Sequence, residues 1–330
     1  MATLNDLKTN MPEISFVIPV FNELESLSLM FEYIHKIDNH LIQNKLIGRC
    51  EYILIDDGSR DGSEEFIISQ IKVKDRPVIK LGSHKMNSGY GAAIQSGIHL
   101  AEYDWVLTFD ADGQHSCESI ISIINQLIKK SHALLIIGSR VSNPQLNLRS
   151  VGRRLLNWSE VSFLGSKLND ANNGLKCFNK NVFFELEKII PAPFDMSFSQ
   201  HLAQTFHALS PVAVEEVSIK IQERKSGNSK IHAKDFFIAL RQNLTLAYSL
   251  KPRRFYFILA SLIFLVAVPY SITIISINKA GMPVAGGLAI AIGFSFVVLG
   301  ELRQVEREQN LSRLKGLLRI KYFFNVFKKH

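Results

Sequence analysis

Two uncharged apolar stretches near the C-terminus constrain the folding of this chain most. Residues 255–277 read FYFILASLIFLVAVPYSITIISI, and residues 281–300 read GMPVAGGLAIAIGFSFVVLG. A helix crossing a bilayer takes about 20 apolar residues, so each stretch suffices for one span. Only Asn278, Lys279 and Ala280 lie between them, which predicts a tight helical hairpin. A buried hairpin inside a soluble domain is the poorer alternative, because two adjacent uncharged runs of this length are uncommon there. Lys251, Arg253 and Arg254 precede the pair, and Arg303 and Arg307 follow it. By the positive-inside rule both flanks, and the domain joined to them, face the cytoplasm of an inner or plasma membrane. The opening MATLNDLKTNMPE carries acidic residues and no long apolar run, so it does not read as a signal peptide.

The remainder divides around this hairpin. Residues 1–233 read as one soluble domain, 234–254 as a juxtamembrane amphipathic helix, 255–300 as the hairpin and 301–330 as a basic amphipathic tail. The tail mixes Leu, Ile and Phe with Lys and Arg, which suits a helix lying on anionic lipid. Phe236, Phe237, Leu240 and Leu244 give the juxtamembrane helix its apolar positions. The net charge of +8 is concentrated beside the spans and in residues 224–230. That distribution favours lipid and phosphate partners over nucleic acid, for which no recognition motif is present. Three widely spaced cysteines offer neither a zinc spacing nor a disulfide framework.

In residues 1–233, short apolar runs alternate with helical patterns. Residues 14–20, 51–56, 78–82, 104–110, 133–138 and 212–221 read as strands. Helical patterns follow residues 22 and 91, and another covers 150–168, where Arg153 and Arg154 flank Leu155, Trp158, Val161 and Leu164. That last helix could pack on the sheet or contact an acceptor. The alternation predicts an α/β fold with a doubly wound, mostly parallel sheet. Ligands bind such sheets at the carboxyl ends of the strands.

The strand at 104–110 ends in Asp110-Ala111-Asp112-Gly113-Gln114. Alternation puts Asp110 and Asp112 on one side of an extended segment. Two adjacent carboxylates repel unless a cation sits between them. A hard divalent ion with oxygen ligands resolves this, and the Gln114 amide can add an oxygen. A solvated acidic turn is the plainer alternative for so short a motif. Arg224-Lys225-Ser226-Gly227-Asn228-Ser229-Lys230 has a similar ambiguity: a basic surface turn is the simpler reading and a phosphate-holding loop the other. Gly89-Tyr90-Gly91 lacks the third glycine of a dinucleotide fingerprint. Its glycines suit a close backbone approach at a helix start.

Taken in order, these motifs resemble the family-2 glycosyltransferases of GT-A fold, and among them the polyprenyl-phosphate glycosyltransferases. The resemblance rests on Ile18 through Glu23, Asp56 through Ser63, Asn87 through Ala93, Asp110 through Gln114, Gly138-Ser139-Arg140, Asp170 through Phe178 and Arg224 through Lys230. It implies a nucleotide-sugar donor held by Pro19, Phe21, Glu23, Asp56, Asp57, Asn87, Gly89, Asp110, Ala111 and Asp112. It implies Mg²⁺ or Mn²⁺ on Asp110, Asp112 and Gln114. Arg140, Arg224, Ser229 and Lys230 would hold donor and acceptor phosphates. Asp112, Arg140 and Asp170 would be catalytic, Asp170 falling where some members have a base. The acceptor implied is a polyprenyl phosphate, undecaprenyl or dolichyl, and relatives with two spans make a homo-oligomer a candidate assembly.

The chain departs from the family pattern at three places. Phe21 stands where a Tyr is usual. Asn173-Gly174-Leu175-Lys176 replaces Ser-Gly-Phe-Arg, and Asp195 is only a candidate for a further acidic position. A processive polysaccharide synthase is disfavoured, since the Gln-x-x-Arg-Trp motif is missing and neither Trp105 nor Trp158 follows Arg. A transferase acting on another acceptor and a non-catalytic nucleotide-sugar scaffold are the remaining alternatives. His115, beside the acidic motif, reads as an uninvolved polar residue.

Overall fold

The computed structural model describes residues 11–71, 77–130, 132–140, 158–166, 168–190, 192–220, 233–278 and 282–327. The chain forms two compact units, Met1–Gln145 with Leu168–Asp235, and Leu146–Lys167 with Phe236–His330.

The first unit is built on seven strands: β1 (Ile14–Val20), β2 (Cys50–Asp56), β3 (Ile79–Ser83), β4 (Trp105–Thr108), β5 (Leu135–Arg140), β6 (Lys176–Asn179) and β7 (Val214–Ile219). Their order in the sheet is β3-β2-β1-β4-β6-β5-β7. All pairings are parallel except those of β6, which runs antiparallel to both β4 and β5. The expected α/β architecture is therefore present.

Its helices are α1 (Leu24–Gln43), α2 (Ser63–Ile71), α3 (Tyr90–Leu100), α4 (Cys117–Lys129), α5 (Lys180–Glu187) and α6 (Phe198–Leu209). Strands β1 and β2 are buried along almost their whole length, as parallel strands covered on both faces should be. On α1 the buried positions Leu27, Met30, Phe31, Ile34, Ile37 and Leu41 recur every three or four residues. On α4 Ile120, Ile123, Ile124 and Leu127 do the same, after Ser116 caps the helix by accepting from the Ser119 amide. Phe16 stacks on Tyr52 at 4.6 Å within this core.

Two details differ from the sequence expectation. No strand is expected between residues 138 and 212, yet β6 lies there. It is only four residues long and opens on a lysine, so it carries no apolar run. The strand expected at 104–110 stops at Thr108, and Asp110 and Asp112 lie in the turn beyond it, with Gly113 at φ +72°.

Segment 193–195 is laid tightly on the N-terminus of α3. Ala92 N donates to Phe194 O at 3.0 Å, and Gln95 Nε2 donates to Pro193 O at 3.0 Å. A Cβ at Gly91 would sit 2.8 Å from Phe194 C and 2.9 Å from Asp195 O, with Pro193 O closer still. These are backbone atoms that cannot rotate away. Gly91→Ala is expected to destabilise the fold by about 1–3 kcal/mol, the cost of overpacking a filled site. A thermal melt checks this; an unchanged Tm would contradict the packing.

The second unit contains α7 (Ala233–Leu250), α8 (Pro252–Asn278) and α9 (Val284–Phe327). Its α8 and α9 are the two apolar helices expected. Within each, the most apolar window is only 17% buried, unlike a soluble core helix. Glycines Gly286, Gly293 and Gly300 recur every seven residues on α9 and meet Ser271, Phe264 and Tyr256 of α8. A line of small residues lets two apolar helices approach closely. Ring contacts Phe264–Phe294 and Tyr256–Phe296 flank that line.

One helix, α9, runs through residue 300, the boundary expected between hairpin and tail. ELRQVEREQNLSRL continues it because the stretch has strong helix formers and neither Gly nor Pro. Among the described side chains of α7, Asn243, Leu246, Ala247 and Leu250 are buried, while Phe237, Leu244 and Tyr248 are exposed. Of the apolar positions expected on this helix, Phe237 and Leu244 are exposed and Leu240 is partly buried. The described part of the expected 150–168 helix contains a π-helical turn at Glu160–Leu164. There Trp158 and Val161 are exposed, whereas Ser159, Glu160 and Leu164 are buried, and Asn243 Nδ2 donates to Ser159 Oγ at 2.6 Å. This segment belongs to the helical unit rather than to the sheet. Arg153, Arg154 and Leu155 lie outside the described residues.

Candidate active site

The parallel register pairs Val20 with Asp56 and Val17 with Thr108, so the carboxyl ends of β1, β2 and β4 share one edge. The loops leaving these ends are tied together. Asn22, at φ 51°, accepts from Arg60 N at 2.8 Å and its own amide donates to Ser59 Oγ at 2.9 Å. Glu23 N donates to Ser63 Oγ at 3.2 Å, and Asp61 Oδ2 accepts from Leu24 N, the first residue of α1, at 3.0 Å. Pro19 is the one partly exposed residue of β1, and Phe21 and Glu23 beside it are also partly exposed.

Asp56 and Asp57 are both almost fully buried. Asp57 Oδ1 accepts from Ser88 N at 2.9 Å and contacts His84 Nδ1 at 2.7 Å, and Oδ2 accepts from Gly89 N at 2.9 Å. His84 Nε2 in turn meets Ser96 Oγ at 2.9 Å. Asp57 is thus the hub that fixes the loop carrying exposed Asn87 and Gly89. Asp56 Oδ2 accepts from Ser59 N at 3.0 Å, while its Oδ1 is buried without a partner among the described residues. Gly89, at φ +103°, allows the backbone to pass Phe194 O, which would lie 2.5 Å from a Cβ there. No L side chain fits that position.

Beyond β4, Asp110, Asp112 and Gln114 are each partly exposed, and they alternate with buried Ala111, Gly113 and His115. The three candidate oxygen donors therefore share the open side of the turn. Asp112 Oδ1 accepts from Gln114 N at 3.0 Å. Asp110 Oδ1 accepts from Tyr90 Oη at 3.1 Å, and Oδ2 lies 3.8 Å from His115 Nε2. Burial would raise the Asp110 carboxyl, but the His115 hydrogen bond and charge, Tyr90 and the charge of Lys176 together hold it below its ordinary value. Gly174 leaves the space this carboxylate occupies: a Cβ there would lie 2.8 Å from Oδ2 and 2.9 Å from Oδ1. An ionised pair of hard oxygen donors on an open turn fits a divalent cation such as Mg²⁺ or Mn²⁺. Among the described residues no three His, Cys, Asp or Glu side chains form a metal cluster, so these donors would need further oxygens from a ligand.

Strand β6 brings the 170–176 segment beneath this turn. Thr108 Oγ1 donates to Gly174 O at 2.7 Å, and Asn173 Nδ2 donates to Gly138 O. Lys176 is fully buried and donates to Asn173 O, so the ammonium standing where the family has Arg faces inward. At the end of β5, Asp170 takes three hydrogen bonds from Arg140: from N at 3.1 Å, Nε at 2.5 Å and Nη2 at 2.7 Å. The Asp170 hydrogen bonds keep the Arg140 guanidinium above its ordinary value against the cost of burial, and the charges of Asp170 and Asp110 add to this. Asp195, the further acidic candidate, accepts from Ser197 N at 2.9 Å ahead of α6.

Arg224, Ser229 and Lys230 lie outside the described residues. Tyr90, His84 and Gly174 are site residues that motif reading passed over, although Tyr90 and Gly174 stand inside quoted motifs. His115, expected to be an uninvolved polar residue, is buried beside Asp110, with Nδ1 lacking a partner among the described residues.

Comparison with known proteins bears on the family and the fold. The chain is 27% identical over 301 residues to the undecaprenyl-phosphate 4-deoxy-4-formamido-L-arabinose transferase of Yersinia pestis (strain Pestoides F), covering 88% of this chain and 86% of the relative. Among solved structures it is similar to glucosyl-3-phosphoglycerate synthase of Mycobacterium tuberculosis in complex with Mn²⁺, UDP-glucose and glycerol 3-phosphate. There the TM-score is 0.54 at 17% identity, covering 76% of this chain and 84% of that one. Mannosyl-3-phosphoglycerate synthase of Rubrobacter xylanophilus gives a TM-score of 0.54 at 16% identity, covering 72% and 74%. These structures share the fold. Residues 15–186, more than half of the sequence, match the family model for glycosyl transferase family 2, and the chain belongs to that family.

Proposed function

We propose that this glycosyltransferase moves one sugar from a nucleotide-sugar, UDP-linked before GDP-linked, to the phosphate of a polyprenyl phosphate at the cytoplasmic face of an inner or plasma membrane. The observation that carries this reading is the match to the Yersinia transferase along most of both chains. Two weakly buried apolar helices support a membrane-bound acceptor. The basic flanks at Lys251, Arg253, Arg254, Arg303 and Arg307 support the cytoplasmic orientation.

The chemistry follows from two anions that must meet. A phosphate monoester has a second pKa of about 6, so the acceptor is largely a dianion at neutral pH. Its oxygen attacks the anomeric carbon in line, the bond to the nucleoside diphosphate breaks, and the leaving group departs with the electron pair. The configuration at that carbon inverts. Such a nucleophile needs positioning and screening more than deprotonation.

Asp110, Asp112 and Gln114 would hold Mg²⁺ or Mn²⁺ against the donor diphosphate. When bound, that ion supplies charge neutralisation for the departing nucleoside diphosphate. Pro19, Phe21, Glu23, Asn87 and Gly89 border the nucleotide, Ala111 contributes backbone, and Asp56 Oδ1 offers an acceptor. Asp57 acts through the Ser88–Gly89 amides that it holds. Arg140, with Arg224, Ser229 and Lys230, grips phosphate.

Asp170 then orients Arg140 rather than serving as the base. Asp170→Asn is expected to lower kcat by less than about 100-fold, below the full range of a general base. Arg140→Ala is expected to lose more, and to raise KM for the acceptor. A loss beyond about 1000-fold in Asp170→Asn, with donor and lipid binding unchanged, would make Asp170 the base instead. The acceptor class is tested by offering the purified protein undecaprenyl phosphate or glycerol 3-phosphate with the same labelled donor. Label in the lipid phase supports the proposal. Label only in the aqueous product would move the acceptor to a soluble phosphate.

A further inference from the structure

The helical unit carries cations that its own described residues leave unmatched. A cleft of about 580 Å³ opens where α8 begins, lined by Lys251, Arg253, Arg254, Phe257, Val297 and Glu301 among others. Arg253 Nη2 is paired with Glu301 Oε2 at 2.7 Å. Among the described residues, no side-chain hydrogen bond or ion pair reaches Lys251 Nζ or the Arg254 guanidinium. On α9, Arg307 is a further cation, whose Nε is buried without a partner among the described residues. Burial, then the charges of Arg307 and Arg254, hold the Lys251 ammonium below its ordinary value. Arg254 Nη1 is tucked against Gly165, where a Cβ would collide with it.

Lys251 is partly buried and Arg254 exposed at the mouth of the cleft, and the one carboxylate in its lining, Glu301, is taken by Arg253, which leaves these two cations for an anionic ligand. The cleft's walls specify its chemistry. Phe257 and Val297 belong to the apolar stretches of α8 and α9, while Lys251 and Arg254 stand at the polar rim. An apolar floor beneath a basic rim at the end of two spans fits a lipid whose headgroup is a phosphate. The polyprenyl acceptor is consumed and released in each catalytic cycle, whereas phospholipid of the surrounding bilayer is always present to occupy such a cleft.

We propose that this cleft is a binding site for an anionic phospholipid, with Lys251 and Arg254 at the phosphate and an acyl chain along Phe257 and Val297. The proposal rests on the reading of α8 and α9 as membrane spans. It does not depend on which sugar or acceptor the enzyme uses.

The test uses the full-length protein in nanodiscs of phosphatidylcholine with and without phosphatidylglycerol, followed by native mass spectrometry of retained lipid. The wild type is expected to retain phosphatidylglycerol over phosphatidylcholine. The Lys251→Gln/Arg254→Gln variant is expected to retain at least about tenfold less, as removing two cations from an anionic lipid contact should. Arg313→Gln, a charge loss elsewhere on α9, should match the wild type, and Lys251→Arg should retain the lipid. Equal retention by the double variant and wild type would overturn the site, as would retention of undecaprenyl phosphate in place of phosphatidylglycerol. Should the double variant fail to fold, Lys251→Arg and the wild-type preference for phosphatidylglycerol decide the matter. Release of the protein from membranes by alkaline carbonate would instead overturn the membrane reading itself.

Discussion

Asp112→Ala is expected to reduce sugar transfer by about 1000-fold or more, because the metal it helps hold is worth several kcal/mol and each 1.4 kcal/mol is tenfold in rate. Asp112 lies past the end of β4 on the open side of the turn and is not part of the core. Its loss should therefore leave the Tm unchanged. The substitution leaves Asp110 as the only carboxylate of the pair and halves the charge facing the diphosphate. Asp112→Asn keeps one neutral oxygen and should lose less, with part of the loss recovered at high Mn²⁺. Steady-state kinetics against Mn²⁺ concentration check both variants. Transfer by Asp112→Ala within tenfold of the wild type would show that the acidic turn is only a solvated turn.

Gly174→Ala should be the next most damaging change, for a steric reason. Its Cβ would lie within 2.9 Å of both Asp110 oxygens and of Tyr90 Oη. These are ends of side chains rather than backbone, so the carboxylate can swing aside and the fold should survive. Asp110 would then leave the position set by Tyr90 and His115. A displacement of about 1 Å at a reacting centre can cost about 100-fold. The expected result is a kcat reduced by about that factor, a weaker affinity for Mn²⁺ and a Tm close to wild type. Full activity in this variant would mean that the Asp110 position is not critical. A collapse in Tm would instead assign Gly174 to folding.

The elements legible in the sequence were those with one dominant signal. The apolar spans, the buried parallel strands and the periodic face of α1 each follow from a single pattern. The motif at 110–114 stands out in the sequence as a row of oxygen donors, but the extended segment expected there is a turn, with β4 ending at Thr108 and Gly113 at positive φ. Strand β6 was hidden because its buried lysine looks like a surface residue. Lys176 is tolerated there by donating to Asn173 O. On α7, Phe237 and Leu244 are apolar and exposed. Periodicity reports which residues are apolar, not which solvent they face. Arg140 and Asp170 were legible one by one, but their pairing depends on the end of β5 meeting a loop 30 residues further along.

Transfer from labelled UDP- and GDP-sugars to undecaprenyl phosphate, in membranes carrying the protein, is the most direct measurement. It is run with Mn²⁺ or Mg²⁺ and again with chelator. A metal-dependent glycolipid, labile to mild acid and inverted at the anomeric carbon, is the expected product. Tight donor binding with no lipid product from any donor would contradict polyprenyl-phosphate glycosylation.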